Sequence, residues 1–169
     1  MRYIMLISFF LVALYSCGQE VANKTDYPLQ VGDIHFDPKI DDPNFTLCDQ
    51  NNVWQYYNFA KGLQYNGEKA RIVEHFINKL KVKEHEVESG FLTIRFIVNC
   101  KGQTGRYRLQ GMDKDYQAKV FNEYLTSQLV KLTKQLDGWI VGQYQGKTYD
   151  YYQYLTFKIE KGKLVEIMP

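Results

Sequence analysis

Side chains that could carry acid–base or metal chemistry are few and scattered in this chain. It has three histidines, of which His75 follows Glu74 and His85 lies between Glu84 and Glu86. Neighbouring residues of a helix diverge by about 100°, so Glu74 would not orient His75 as a general base. The sequence contains no GxSxG, HExxH or phosphate-binding loop, the motifs of nucleophile, zinc and nucleotide chemistry. We therefore expect a protein that is not an enzyme and that uses no cofactor or metal.

Cysteine is the other reactive side chain, and the surroundings of Cys17 mark it for modification. Arg2 precedes an apolar run, residues 3–15, that is too short for a membrane span and is typical of a signal peptide. The run ends in Leu14-Tyr15-Ser16-Cys17, which resembles a bacterial lipobox. The resemblance implies cleavage before Cys17 and acylation of that residue. The alternative is an ordinary secretory signal that happens to be cut near Cys17.

Lipidation of Cys17 would fix where the protein resides. Two or three acyl chains, at about 0.8 kcal/mol per buried CH₂, make a stable membrane anchor. Residue 18 is Gly rather than Asp, so the usual inner-membrane retention signal is missing. We expect a signal peptide over 1–16, a polar tether over 17–32 and one folded domain over 33–169. The expected location is the outer membrane, with the domain facing the periplasm or the surface.

The two remaining cysteines, Cys48 and Cys100, are expected to form a disulfide. An exported chain folds in an oxidising compartment, where a lone pair of cysteines is usually joined. The bridge would close a loop of about 53 residues and would stabilise the fold by roughly 4 kcal/mol. Two buried free thiols are the alternative, and no CxxC or HxxxH spacing near either residue predicts a metal site.

Composition and charge limit the partners. The formal net charge is +2, which gives no strong field for nucleic acid. Aromatic residues make up 15% of the chain, and tyrosines in two clusters could form a platform for a small molecule or a glycan. These are Tyr56, Tyr57, Tyr149, Tyr151, Tyr152 and Tyr154.

Hydrophobic periodicity predicts the elements that would position these residues. Period-two alternation predicts a β-hairpin over 90–109, which turns at Lys101-Gly102 and has Cys100 on its apolar face, and further strands over 151–159 and 164–168. Helical spacing predicts helices over 48–62, 66–80 and 116–136, the last capped by Asp113 or Asp115. The apolar stripe of the helix over 66–80 is Val73, Phe76, Ile77 and Leu80.

An Asp- and Pro-rich segment, 33–47, precedes these elements and is expected to wrap over the domain. Its apolar anchors are Ile34, Phe36, Ile40 and Phe45. The predicted fold class is α+β: a small antiparallel sheet packed by two or three helices, with an N-terminal wrapping segment.

The order of motifs along the chain resembles the C-terminal domain of TonB, in the form found in lipid-anchored proteins of the Bacteroidetes type. The matching motifs are YNGEKA at 65–70, GFLTIRFIVNCKG at 90–102, and a later stretch with Trp139, Gly142, Gly146 and Lys147. The resemblance covers about residues 65–160. Val141 stands where the family has Pro, and the chain lacks a Pro-rich spanning linker. The resemblance therefore implies a protein-interaction module rather than an energy transducer.

Members of that family bind partners partly by strand addition at a sheet edge. The candidate edge here is the terminal segment Lys163, Leu164, Val165, Glu166, Ile167 and Met168. The expected function is that of a non-enzymatic, lipid-anchored envelope protein that binds another envelope protein. The alternative function is a lipoprotein that binds a small molecule or a glycan through its surface tyrosines.

Overall fold

The computed structural model describes residues 33–59, 62–81 and 87–169. Cys17, the signal peptide, the tether and His85 lie outside the described residues. The described chain is a mixed α+β fold with a mostly antiparallel sheet and two helices. None of the described helices is long and apolar enough to span a bilayer.

The elements follow one another in a simple order along the chain. The strands are β1 (Trp54–Gln55), β2 (Gly90–Val98), β3 (Thr104–Met112), β4 (Gly142–Tyr144), β5 (Lys147–Tyr149), β6 (Tyr151–Glu160) and β7 (Lys163–Met168). The helices are α1 (Glu68–Lys79) and α2 (Glu123–Lys134), and a 3-10 turn covers Tyr56–Phe59. The main sheet has the order β1-β6-β2-β3, and β7 also pairs with β6. Strands β4 and β5 form a separate small hairpin.

The predicted hairpin and the predicted strand over 151–159 are both confirmed. Alternate residues of β2 and β6 face the two helices and form the main core, since a strand places successive side chains on opposite faces. The strand residues of this core include Leu92, Ile94, Phe96, Val98, Tyr151, Leu155, Phe157 and Ile159. Helix α1 contributes Ile72 and Phe76, and α2 contributes Leu125, Leu129 and Leu132.

The described residues before β1 lie over one part of the opposite face of the sheet. The segment 33–53 lies over one end of it, where Ile34 packs with Ile97 and Tyr152. Of the predicted anchors, Ile34 is buried and Phe45 is half-buried. The Phe45 ring fills the space that a Cβ on Gly105 would occupy. Phe36 and Ile40 are 45% and 61% exposed, so for these two the anchor prediction is wrong.

Three helix predictions need correction, and the first concerns residues 48–62. The described part of this range, residues 48–59 and 62, contains a short strand and a 3-10 turn but no α-helix. Trp54–Gln55 pairs in parallel with Tyr151–Tyr152, and the Trp54 ring stacks on Tyr149 at 4.2 Å between centroids. These contacts with distant residues fix an extended backbone, and tertiary packing overrides a weak helical pattern.

The helix predicted over 116–136 begins later, at Glu123. The Asn122 side chain caps it by accepting a hydrogen bond from the Leu125 N–H at 2.9 Å. Asp113, a predicted cap, instead accepts bonds from the Asp115 and Gln117 N–H groups. Such local side-chain bonds favour turns over helix starts. Residues 114–116 form a turn, and Ala118 forms an isolated bridge with Met112.

The stripe predicted for the helix over 66–80 is confirmed at Phe76 and wrong at Ile77. Ile72 and Phe76 are buried, whereas Ile77 is 69% exposed. Val73 and Leu80 are half-buried. The helix therefore buries Ile72 and Phe76, an i, i+4 pair, against the core. The sequence pattern did not distinguish Ile72 from the apolar residues beside it.

One ion pair holds the N-terminal segment on the sheet. Arg108 on β3 donates two hydrogen bonds of 2.7 Å to the two carboxylate oxygens of Asp41, and the Asp41 side chain is 2% exposed. The hydrogen bond from Arg108 is the main reason that the pKa of Asp41 lies below its ordinary value of 3.8. A two-pronged pair of this kind fixes both position and orientation.

We expect this pair to make the fold acid-sensitive. A carboxyl whose pKa is lower in the folded state contributes fully above its unfolded pKa, and that stabilisation is lost as the pH falls through the folded value. Asp41→Asn should therefore cost about 1.5 kcal/mol at pH 7, since Arg108 keeps two backbone acceptors. The free energy of unfolding of Asp41→Asn should also fall less than that of the parent as the pH drops below about 4. Urea unfolding at pH 7, 4 and 3 measures both, with the exposed Asp42→Asn as the control. The same pH dependence in Asp41→Asn and the parent would contradict the assignment.

Candidate functional site

A cavity lies on the sheet face opposite the helices, beside the described N-terminal segment 33–53. Its volume is about 550 Å³. Period-two alternation places Thr93 and Arg95 of β2, with Tyr154 and Thr156 of β6, side by side on this face. We call it the open-face cavity, and its lining residues are Gln55, Tyr57, Phe91, Thr93, Arg95, Met112, Tyr116, Tyr154, Thr156 and Met168.

A gap in the strand pairing lies beside the cavity. Along one edge of β6, β1 pairs with residues 151–152 and β7 pairs with residues 156–160. Neither strand pairs with residues 153–155 at that edge. Gln55 at the end of β1 and Met168 at the end of β7 flank this gap, and both line the cavity.

The floor of the cavity is polar. The hydroxyl oxygens of Thr93 and Thr156 lie 2.9 Å apart and share a hydrogen bond. Arg95 is 6% exposed, and its guanidinium carbon lies 4.4 Å from the centre of the Tyr152 ring. Burial is the main cause that lowers the pKa of Arg95 from its ordinary value. Arginine nevertheless stays charged at neutral pH.

Tyrosine hydroxyls continue this polar region towards the gap. The hydroxyls of Tyr154 and Tyr56 are 3.5 Å apart. The hydrogen bond with Tyr154 is the main cause that raises the pKa of Tyr56 to about 12, so the Tyr56 hydroxyl stays neutral at physiological pH. It can donate or accept a hydrogen bond.

The other end of the cavity is apolar and aromatic. Phe91 stacks on Tyr116 with 5.7 Å between ring centres and 5° between planes. Tyr116 is 70% exposed, and its φ of 60° lies in the left-handed region that side chains other than glycine rarely adopt. The turn centred on Asp113 holds this conformation. The ring of Tyr116 therefore lies over the apolar end of the cavity, although most of it is exposed to solvent.

The predicted tyrosine platform is only partly present. Tyr151 and Tyr152 are buried, Tyr56, Tyr149 and Tyr154 are half-buried, and Tyr57 is exposed. The cavity brings Tyr57 and Tyr154 together. Burial is the main cause that raises the pKa of Tyr152 to about 12. Tyr149 stacks on Trp54 and takes no part in the cavity.

Cys48 and Cys100 are joined in the structure, with 6.1 Å between Cα atoms and a sequence separation of 52 positions. The carboxylate of Asp150 lies beside them, and the three side chains offer ligand atoms within 4.8 Å of one another. In the disulfide, however, each sulfur is bonded to the other. Both Asp150 oxygens accept backbone hydrogen bonds. These contacts give the cluster a structural role.

The histidine considered as a general base makes structural contacts. His75 Nε2 lies 3.0 Å from the Leu132 carbonyl oxygen, which joins α1 to α2. Burial, followed by the charge of Lys79, lowers the pKa of His75. Glu74 instead forms an ion pair of 2.7 Å with Arg71. The two neighbours therefore diverge, as helical geometry requires.

The candidate edge forms strand β7. It pairs antiparallel with β6, with one extra residue, Val165, between the pairs Lys158–Glu166 and Ile159–Leu164. Ile167 is buried, Leu164 and Met168 are half-buried, and Lys163, Val165 and Glu166 are exposed. Among the described strands, β7 has β6 as its single neighbour.

Sequence analysis missed three residues that matter here: Arg95, Tyr116 and Asp150. A charged residue, Arg95, within a strand of mostly apolar residues was the signal that could have drawn attention to this position. Tyr116 and Asp150 carried no distinguishing pattern, because their roles depend on strand register and on contacts far along the chain.

The comparisons with known proteins give no relative to reason from. The chain matches no protein-family model, no curated protein and no solved structure. The function is therefore argued from the residues and their geometry.

Proposed function

We propose that this chain is a non-enzymatic, lipid-anchored module of the cell envelope that binds another envelope protein by strand addition. The observation that carries the proposal is β7, which has a strand neighbour on one side only among the described strands. An extended segment of a partner would add as the next strand, with main-chain hydrogen bonds providing affinity.

The far edge of the sheet is a poorer place for such addition. Ala118 forms a bridge with Met112 of β3, and the Lys119 N–H donates to the Gly111 carbonyl at 2.9 Å. Arg106 has a φ of 54°, close to the register shift in the β2–β3 pair. Covering segments and bulges are ways in which proteins block an edge. Of the two edges, β7 is therefore the better site for strand addition.

The side chains of β7 indicate the chemistry of the partner. Val165 is 53% exposed and offers an apolar contact. Lys163 is exposed, and Glu166 lies 3.8 Å from Lys69 of α1. A partner strand with apolar residues and at least one acidic residue opposite Lys163 would fit this edge.

The finer fold assignment, a domain like the C-terminal domain of TonB, is part of the proposal. It is supported by the packing of two motif residues. Tyr65 and Trp139 form an isolated bridge and an edge-to-face ring pair at 4.9 Å. They join the segment before α1 to the segment after α2.

The proposed anchor is acylated Cys17, which would hold the domain at the outer membrane through the tether 17–32. It rests on the lipobox-like residues alone, since Cys17 lies outside the described residues. Lipid attachment suits a binding module, because confinement to a membrane raises the effective concentration of partners there.

The test compares two substitutions at one exposed position of β7. Val165→Pro removes a backbone N–H and should lower partner capture from solubilised envelope roughly tenfold, the effect of losing one or two hydrogen bonds of about 1 kcal/mol each. Val165→Thr keeps the backbone donor and a β-branched side chain, so it should capture partners like the parent. Thermal unfolding of both variants checks that the fold is intact.

Mass spectrometry of the same full-length preparations tests the anchor. The expected mature N-terminus is Cys17 carrying two or three acyl chains. Failure to recover a reproducible partner, or equal capture by Val165→Pro and Val165→Thr, would refute strand addition at β7. An unmodified Cys17 would refute the anchor and leave the edge to be judged separately.

A further inference from the structure

We propose that β7 also pairs with β7 of a second copy of this chain, antiparallel and related by a two-fold axis. The inference rests on the proposed function, since it takes β7 as the edge that accepts a strand, and it names one partner that this edge fits. Among the described strands, β7 has a neighbour on one side only. Unpaired strand edges are surfaces on which chains readily associate.

Charged residues of β6 and β7 alternate in sign across the two strands. Glu166 of β7 lies opposite Lys158 of β6. Lys163 of β7 lies opposite Glu160 of β6. Ile159, between the two β6 residues, faces the main core, so alternation places the four charged side chains on the other face. Each charge therefore has an opposite charge as its neighbour on the adjacent strand.

A second copy would continue this alternation beyond the free edge. Val165 is the extra residue in the β6–β7 register. Lys163 and Glu166 therefore lie one pairing step on either side of the bulge Leu164–Val165. A two-fold axis through the bulge places Lys163 of each copy opposite Glu166 of the other, as a self-complementary interface requires. Each row of charges then crosses four strands with alternating sign, and opposite charges directly across a ladder stabilise it.

The side chains at this edge are available for the contact. Val165 is 53% exposed, and Lys163 forms no ion pair with another described residue. Glu166 makes a long contact of 3.8 Å with Lys69, in which both side chains are 47% exposed. Exposed pairs of this kind contribute little to stability, so Glu166 loses little when it turns to Lys163 of a second copy.

Two further features favour a copy of the chain over an unrelated strand. A bulge bends a strand and increases its twist, and an identical strand related by a two-fold axis carries the same bend. The proposed lipid anchor would also confine all copies to one membrane, which raises their effective concentration. A short edge can therefore associate there although it buries little surface. Another envelope protein would compete with the second copy for this edge.

The first test is a crosslink between copies. Unlabelled and ¹⁵N-labelled full-length chains are mixed in a non-ionic detergent and treated with a zero-length carbodiimide, which joins an amine to a carboxylate in contact with it. Mass spectrometry should detect Lys163 joined to Glu166 in peptides that carry both isotopes, since only a link between two copies combines them. Sedimentation in density-matched detergent should show a monomer–dimer equilibrium. Val165→Pro disrupts the edge and should abolish both signals.

Charge reversals test the register. Lys163→Glu places like charges opposite each other twice in each dimer, so it should weaken self-association about tenfold. Glu166→Lys should do the same. An equimolar mixture of these two variants should associate like the parent, because each copy then meets opposite charges at both positions. Lys101→Glu changes the net charge equally at an exposed turn position, and it should leave association and the crosslink unchanged.

The outcomes separate this inference from the proposed function. Monomers at every concentration, without mixed-isotope links, would refute the pairing of copies, and capture of another envelope protein that depends on β7 would then leave the proposed function intact. Mixed-isotope links without such capture would support self-pairing and count against the other partner. Failure of the two mixed variants to associate would refute the register. A dimer that persists in Val165→Pro and Lys163→Glu would place the contact elsewhere and overturn the inference. Should Val165→Pro fail to fold, the charge reversals decide.

Discussion

Replacing Asp150 with asparagine is expected to lower the free energy of unfolding by about 3 kcal/mol, although the change alters a single atom type. Asp150 is 1% exposed. One carboxylate oxygen accepts hydrogen bonds from the Cys48 and Asp49 N–H groups at 2.7 and 2.9 Å. The other accepts from the Cys100 N–H at 2.7 Å. A charged acceptor contributes about 1.5–3 kcal/mol per bond, and an amide NH₂ would face at least one of these donors.

The experiment is urea unfolding of Asp150→Asn with the disulfide intact. Asp49→Asn is the matched control, because the Asp49 carboxylate is exposed and accepts a local bond from the Asn51 N–H at 3.0 Å. That variant should lose less than about 1 kcal/mol. An Asp150→Asn midpoint and slope equal to those of Asp49→Asn would show that the three bonds to Asp150 contribute little.

Asp150 matters because it joins three parts of the chain at one point. Its carboxylate holds the N-terminal segment just before β1 and the turn after β2, while its own backbone precedes β6. The Trp54 N–H also donates to the Asp150 carbonyl at 2.9 Å. This single residue thus helps to set the register of β1 on β6, which in turn leaves the gap beside the open-face cavity.

The sequence predicted the elements whose pattern depends on near neighbours. Strands β2 and β6 alternate over most of their length, with Ile97 and Tyr152 as apolar residues on the other face. The side chains that form the main core, such as Phe96 and Phe157, could therefore be assigned to one face in advance. The prediction of a helix over 48–62 was wrong because Trp54 stacks on Tyr149 of the β4–β5 hairpin, a contact that no local pattern records. The start predicted for α2 was wrong because the Asp113 side chain accepts hydrogen bonds within its own turn and does not cap a helix.

The open-face cavity could not be predicted for a related reason. Alternation places Arg95 opposite the main core, yet it does not tell whether that face is covered. Which part of this face is covered depends on where segment 33–53 lies on the sheet. The ion pair between Asp41 and Arg108, which are far apart in the chain, helps to set that position. The position of Tyr116 likewise depends on a turn that periodicity treats as the start of a helix.

Removing the disulfide should have the largest effect on stability. Closing a loop between residues separated by 52 positions stabilises the folded state by about 4 kcal/mol in the chain-entropy model. Typical domains are stable by only about 5–15 kcal/mol, so a Cys48→Ala/Cys100→Ala variant should retain a small margin. Its urea midpoint should be low and should not respond to dithiothreitol. The parent should fall to the same midpoint when its disulfide is reduced. A reduced parent that keeps the midpoint of the oxidised protein would contradict this prediction.

The disulfide and Asp150 should also be energetically coupled. The bridge holds the Cys48 and Cys100 amides next to the carboxylate, and without it residues 33–53 can leave the sheet and let the Cys48 and Asp49 N–H groups reach water. Asp150→Asn should then cost at least about 1 kcal/mol less in the Cys48→Ala/Cys100→Ala background than in the parent, since the effects of substitutions within one network do not add. Hydrogen exchange at Ile97 and Tyr152, beneath that segment, should accelerate before exchange in the core residues that face the helices. Additive losses with uniform exchange would instead mean that the N-terminal segment and the helix-packed core unfold as one unit.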